Sequence, residues 1–181
     1  MKTPTLVLLA GLLMLSALAA AESSPRLAKE TFAPGLVVTE YPRHDLQGDN
    51  KEQFFVHPYQ LGKAIGETYI VDSLHPWRWN GDRNATAAGI LEIPADGAYA
   101  FTTNSFYDRN LLMIDDEIVC GFGDGTDRVV TVPLKKGKVK ILTLGVVESR
   151  GTDAGIFVRW KPPGQTELRP IPPEVLSHAE D

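Results

Sequence analysis

Hydrophobic and polar positions alternate with a period of two through much of this chain, and only rarely with the period of a helix. Tyr99, Phe101 and Thr103 interleave with Ala98, Ala100 and Thr102; Val139, Ile141 and Thr143 interleave with Lys138, Lys140 and Leu142. Ile156, Val158 and Trp160 share one face, with Arg159 on the other. That is the signature of half-buried strands, whose successive side chains point to opposite faces. Val37-Val38-Thr39, Phe54-Phe55-Val56, Thr68 to Val71 and Val129 to Val132 predict further strands. Tyr59 to Ile65 has room for one helical turn, and His75-Pro76-Trp77-Arg78-Trp79 reads as a loop with an aromatic anchor. Asp96-Gly97 lies between two apolar runs, Gly89 to Ile93 and Ala98 to Phe101, and predicts a tight β-hairpin, because glycine accepts the positive φ such turns need. Gly, Asp, Asn and Pro punctuate the runs at the intervals of an all-β sandwich or barrel. The expectation is an all-β, single-domain antiparallel sandwich.

The first 21 residues stand apart. Lys2 precedes an apolar or small run, Leu6 to Ala21, that ends in Ala19-Ala20-Ala21 and passes into Glu22-Ser23-Ser24-Pro25. This is the pattern of a cleaved secretory signal peptide, and the run is short for a membrane span. The expected layout is a signal peptide over 1–21, a flexible lead over 22–34, the sandwich over 35–176 and a tail over 177–181. The mature chain would have no membrane span, and its location would be secreted or periplasmic. The proline-rich stretch from Pro162 suits no central strand, although Ile171, Val175 and Leu176 are apolar enough to tuck onto the core.

Charge narrows the partners. The chain carries 18 Lys and Arg against 23 Asp and Glu, a formal net charge of −5. A mildly acidic domain lacks the basic surface that attracts phosphates, so nucleic acid is excluded as a partner. Lys135, Lys136, Lys138 and Lys140 read as a solvated turn entering a strand. Cys120 is the single cysteine and sits beside Ile118 and Val119, which predicts a buried, inert thiol. No nucleophilic elbow, zinc-helix motif or carboxylate pair appears, so the chain is read as a non-enzyme.

The ordered set of motifs resembles a known family. A Gly35-Leu36 to Tyr41 strand is followed by Gly89-Ile90-Leu91-Glu92-Ile93-Pro94 and Asp96-Gly97-Ala98-Tyr99-Ala100-Phe101. Next come Leu112-Met113-Ile114-Asp115, a Leu134 to Gly137 turn, and Val158-Arg159-Trp160 with Pro163-Gly164 and Ile171-Pro172. This is similar to the PA14 domain, a β-sandwich with a G-x-L-x-V-P-x-x-G-x-Y-x-F hairpin, a D-D-G-x-R-L-x-I-D-G loop and strand, an L-x-x-G turn and a closing L-x-W strand. The resemblance implies a module that recognises carbohydrate or a protein partner through its loops. In sugar-binding members an adjacent Asp-Asp pair holds a Ca²⁺ that also takes two sugar hydroxyls.

Aligned through Leu112 to Asp115, that pair falls on Tyr107 and Asp108, and the glycine after it on Arg109. One carboxylate is lost and a positive charge gained, which disfavours calcium; Asp108 is the one metal-ligand candidate that remains. Phe106, Tyr107, Asp108, Arg109, Asp115, Asp116 and Asp153 are the candidate ligand-binding residues. Two functions follow: a secreted, non-catalytic module for a glycan or a cell-surface or protein partner, or an assembly subunit without glycan binding. For the acidic run Asp115-Asp116-Glu117 a turn role competes with a ligand role, since Asx residues tolerate left-handed backbone. Gly121 to Asp127 reads as a hairpin loop; Trp77, Trp79, Phe106 and Tyr107 offer an aromatic platform for a sugar ring, against which core or loop anchoring competes for the two Trp; and Asn84-Ala85-Thr86 is formally a glycosylation sequon.

Overall fold

The computed structural model of the chain describes residues 31–43, 61–105, 109–121, 128–147 and 154–180. Along them run β1 (Phe32–Pro34), β2 (Leu36–Pro42), β3 (Ile65–Val71), β4 (Trp77–Trp79), β5 (Arg83–Ile93), β6 (Gly97–Ser105) and β7 (Arg109–Ile114). They continue with β8 (Glu117–Gly121), β9 (Val130–Leu134), β10 (Gly137–Val146), β11 (Ala154–Lys161), β12 (Arg169–Pro170), a 3₁₀ turn over Pro173–Val175, and β13 (Leu176–Ala179). Two antiparallel sheets result, as the period-two pattern predicted. The predicted strand over 54–56 lies outside the described residues.

The long strand β5 is the spine of the first sheet. β10 pairs with it along one edge, from Gly137 opposite Ile93 to Gly145 opposite Ala85. The other edge is shared: β2 takes Arg83 to Ala88, and β13 takes Ile90 and Leu91. β3 adds outside β2, β1 outside β13, and β7 and β8 extend the sheet beyond β10. In the second sheet β11 plays the same part, with β6 on one edge and β4 and β12 sharing the other, while β9 closes the far side of β6.

The main core fills the space between the sheets. Leu36, Ala85, Leu91, Ile93, Leu112 and Ile141 come from the first sheet; Tyr99, Phe101, Ile156, Val158 and Trp160 come from the second. Apolar burial of this kind contributes roughly 25 cal/mol per Å² removed from water and is the main force holding the layers together. A smaller cluster of Leu61, Leu111, Met113, Leu144 and Val146 lies on the outer face of the first sheet. β7 and β10 are therefore buried on both faces, which is why Leu111-Leu112-Met113-Ile114 reads as a continuous apolar run instead of an alternation.

Several expectations change. Asp96-Gly97 does not close a hairpin: β5 belongs to the first sheet and β6 to the second, so the turn is a corner that carries the chain between layers. Hydrophobic inner faces on both flanking runs fit an inter-sheet corner as well as a hairpin, and only pairing distinguishes them. The tight two-residue hairpin is at Asp115-Asp116, which joins β7 to β8 with φ of 48° and 66°. Of the helical turn expected over Tyr59 to Ile65, residues 59–60 lie outside the described residues, residues 61–64 form bends, and Ile65 already begins β3. Trp77 to Trp79 is a short edge strand on β11 instead of a loop, because both indoles insert into the core while Arg78 faces out. Phe32 to Pro34, expected in a flexible lead, pair with Ser177 to Ala179, expected in the tail. Ile171 and Leu176 are buried, as the apolar pattern of that stretch suggested.

Candidate functional site

The strand registers sort the loops into two ends of the sandwich. At one end Pro42 lies opposite Arg83, Gly145 opposite Ala85, and Val146 opposite Arg109. The second sheet contributes Ser105 opposite Ile156, and Ala154 opposite Trp79. The chain positions that flank residues 44–60, 106–108, 122–127 and 148–153 therefore meet here. At the other end lie the Asp96-Gly97 corner, the Lys135-Lys136 turn and the Asp115-Asp116 hairpin.

The loop end rests on a rigid base. The Asn84 side chain is fully buried; its Nδ2 donates to the carbonyl of Pro42 at 3.3 Å, and its Oδ1 accepts from the Val147 N–H at 3.1 Å. One amide on β5 thus ties down the exits of β2 and β10, immediately before residues 44–60 and 148–153. Trp79 completes the base. Its indole Nε1 donates to the Arg83 carbonyl at 2.8 Å, and its ring lies where a Cβ on Gly145 would be, only 2.1 Å from the ring carbon. A glycine is required at 145 for the two sheets to approach so closely.

A polar group borders this base on the β2–β3 side. Glu40 pairs with the Arg83 guanidinium and accepts from the Tyr69 hydroxyl at 3.4 Å. Burial, then the Glu40 charge, hold the Tyr69 hydroxyl above its ordinary range. On the outer face of the second sheet His75 packs edge-on against Phe157, with ring centroids 5.1 Å apart. Burial, followed by the Arg159 charge, pushes the His75 imidazole below its ordinary range.

The described candidate residues, Arg109, Asp115 and Asp116, divide between the two ends. Arg109 opens β7 at the loop end, whereas Phe106, Tyr107, Asp108 and Asp153 lie outside the described residues. Asp115 and Asp116 follow β7 at its far end, six residues and about 20 Å along the strand from Arg109. There the Asp115 Oδ1 accepts from the Lys140 N–H at 2.8 Å, and the Asp116 carboxylate meets the Lys140 ammonium at 3.0 Å. Both acids serve the hairpin. The sequence pattern could not show this separation, because it places Asp108 and Asp115 only a few residues apart.

The aromatic pair Trp77 and Trp79 is buried in the core, 2% and 6% exposed, so neither ring offers a stacking face. Cys120 is buried, and burial pushes its thiol up to about 12, well away from a reactive thiolate. Asn84, the acceptor of the formal sequon, has no exposed surface for a glycan. Sequence reasoning missed its clamp role, for which the only available signal was a polar residue at the start of an otherwise apolar run. Among the described residues no cluster of three or more His, Cys, Asp or Glu could hold a metal ion. No helix of the described residues is long and apolar enough to cross a membrane.

No family model matches the sequence, and no curated protein sequence matches it. Comparison with solved structures identifies the fold. The chain superposes on an anti-sigma factor domain-containing protein from Clostridium clariflavum with a TM-score of 0.57 and 13% identity, covering 82% of this chain and 48% of that one. It thus spans about half the length of that protein. The A domain of epithelial adhesin 9 from Candida glabrata, solved in complex with Galβ1-3GlcNAc, gives a TM-score of 0.60 at 15% identity over 88% of this chain and 94% of the adhesin domain. A PA14 sugar-binding domain from an RTX adhesin gives 0.55 at 13% identity over 81% and 99%.

Proposed function

From a PA14-like β-sandwich whose loop-bearing strand ends gather at one end, we propose a non-catalytic recognition module that binds carbohydrate through that end. The observation that carries this is the match of nearly the whole chain to nearly the whole of a glycan-bound adhesin domain. The proposed contacts are Phe106, Tyr107, Asp108 and Arg109 with Asp153; their flanking residues belong to the loop end, held by Asn84 and Trp79. Tyr107 and Phe106 supply ring faces for sugar C–H groups, and Asp108 and Arg109 supply hydroxyl partners. Stacking and hydrogen bonds suffice for this chemistry.

Calcium has no part in the proposed site. With Tyr107 in place of an acid, the loop offers one carboxylate where Ca²⁺ needs six to eight oxygens, and Arg109 opposes the cation. The chain acts outside the cytoplasm, with residues 1–21 as its export signal. A glycan array run with calcium and again with chelator tests the proposal: binding is expected in both. No binding to any glycan, with a stoichiometric protein co-purifying, would favour an assembly subunit instead. Asp108→Ala is expected to weaken glycan binding by roughly tenfold or more, the loss of one charged hydrogen bond. Asp115→Ala, at the other end, is expected to leave affinity unchanged.

A further inference from the structure

We infer that the proline ridge from Arg169 to Pro173 is a docking segment for a partner protein domain with an aromatic-lined groove and a carboxylate at one end. The sequence Arg169-Pro170-Ile171-Pro172-Pro173 dictates the backbone here. Each proline ring fixes its own φ at about −65°, and each residue before a proline is pushed from the helical region to extended ψ. Arg169, Ile171 and Pro172 all precede a proline, so the run is extended until the chain turns over Pro173–Val175. Pro172, with φ of −66° and ψ of 142°, has the polyproline II conformation.

A polyproline II helix has about three residues per turn, so its side chains fall on three faces. Within the run Ile171 has one face to itself, and that face is turned into the core, where Ile171 is 2% exposed. Arg169 shares the second face with Pro172, and Pro170 shares the third with Pro173. Arg169, Pro170 and Pro173 are exposed, and Pro172 is half-buried. This division suits polyproline recognition. The pairs Arg169-Pro170 and Pro172-Pro173 would enter adjacent slots between aromatic rings, while the residue between them points away from the partner. A strap that only closes the side of the sandwich accounts for the buried Ile171 and Leu176, but not for two outward faces of this composition.

The ridge is also held ready. Pro170 pairs with Arg159 on β11, and Leu176 pairs with Leu91 on β5, so both ends are tied to the sheets. A segment fixed in its bound shape loses little conformational entropy on docking. Charge sets the polarity of the partner. Arg169 is exposed at the head of the ridge and forms no ion pair among the described residues. A carboxylate beside the groove would pair with its guanidinium and fix the direction in which the ridge lies. The ridge flanks Arg159 and Trp160, near the end of β11, whereas Ala154 at its start marks the loop end. A partner docked there leaves the proposed glycan contacts open.

The test presents the full chain to a panel of purified proline-recognition domains of the SH3 and WW types, with binding measured by calorimetry. At least one domain is expected to bind saturably, one to one. Pro170→Ala and Pro173→Ala are each expected to weaken that binding by roughly tenfold, as each empties one slot. Arg169→Glu, a change at an exposed position that keeps the fold, is expected to weaken it by roughly tenfold through like-charge opposition. This variant decides the question if a proline variant unfolds. Pro133→Ala, at an exposed proline on β9, is expected to leave binding unchanged. No binding by any domain of the panel would overturn the inference. So would full affinity in Arg169→Glu or in folded proline-ridge variants, or loss of binding in Pro133→Ala.

Discussion

Single side chains fix the frame of this molecule, and two of them carry sharp consequences. Asn84 satisfies two buried backbone groups at once. Removing its amide leaves a buried N–H and a buried C=O without their partner, each an uncompensated desolvation. Asn84→Ala is therefore expected to cost about 2–4 kcal/mol, read as a lower urea midpoint. A change within about 0.5 kcal/mol would show that the clamp contributes little. Cys120 gives the second consequence. With its thiol at about 12 in the folded chain, against an ordinary 9.0, the neutral form is favoured by folding. That contribution is fully present below pH 9 and is lost as pH rises from 9 towards 12. The native protein is expected to resist iodoacetamide at pH 8 and to be labelled fully once unfolded; rapid labelling of native protein would contradict the buried placement.

At the scale of elements, the turns were the hardest part of the sequence to interpret. Asp96-Gly97 has hairpin chemistry, yet it joins the two sheets. Asp96 there accepts from the Lys136 N–H at 2.8 Å and meets Lys135 at 3.0 Å, which ties one corner to the next; the Lys136 N–H first, then Lys135, hold its carboxyl below the ordinary range. Gly97 is needed because Pro163 sits 2.4 Å from where a Cβ would be, and Tyr99 reaches back to the Ala95 carbonyl at 2.9 Å. The true hairpin, Asp115-Asp116, spends two non-glycine residues in left-handed backbone. Asp116→Gly is expected to raise stability by about 0.5 kcal/mol, because relief of the backbone outweighs an exposed ion pair. A loss of stability would mean that the Lys140 contact dominates the turn. Most strands were legible from alternation; β4 and β1 were not, because three residues carry no period and pairing decides them.

For the whole molecule, fold class and family resemblance came from short motifs spread over nearly the entire chain, and the structure shares that architecture. What the sequence could not supply was the end of the sandwich to which each motif goes. Arg109 and Asp115 are both candidate ligand residues in the sequence, but the length of β7 separates them. The core was easier to anticipate: Trp77, Trp79, Trp160 and Tyr99 are all buried, as expected of large rings in a chain without disulfides. The central claim is that the loop end is a calcium-independent glycan site. A glycan array probed with the protein in calcium and again in chelator tests it most directly. The same glycans are expected to bind under both conditions, and roughly tenfold or more weakly in Asp108→Ala. Binding abolished by chelator, or no glycan bound at all, would contradict it.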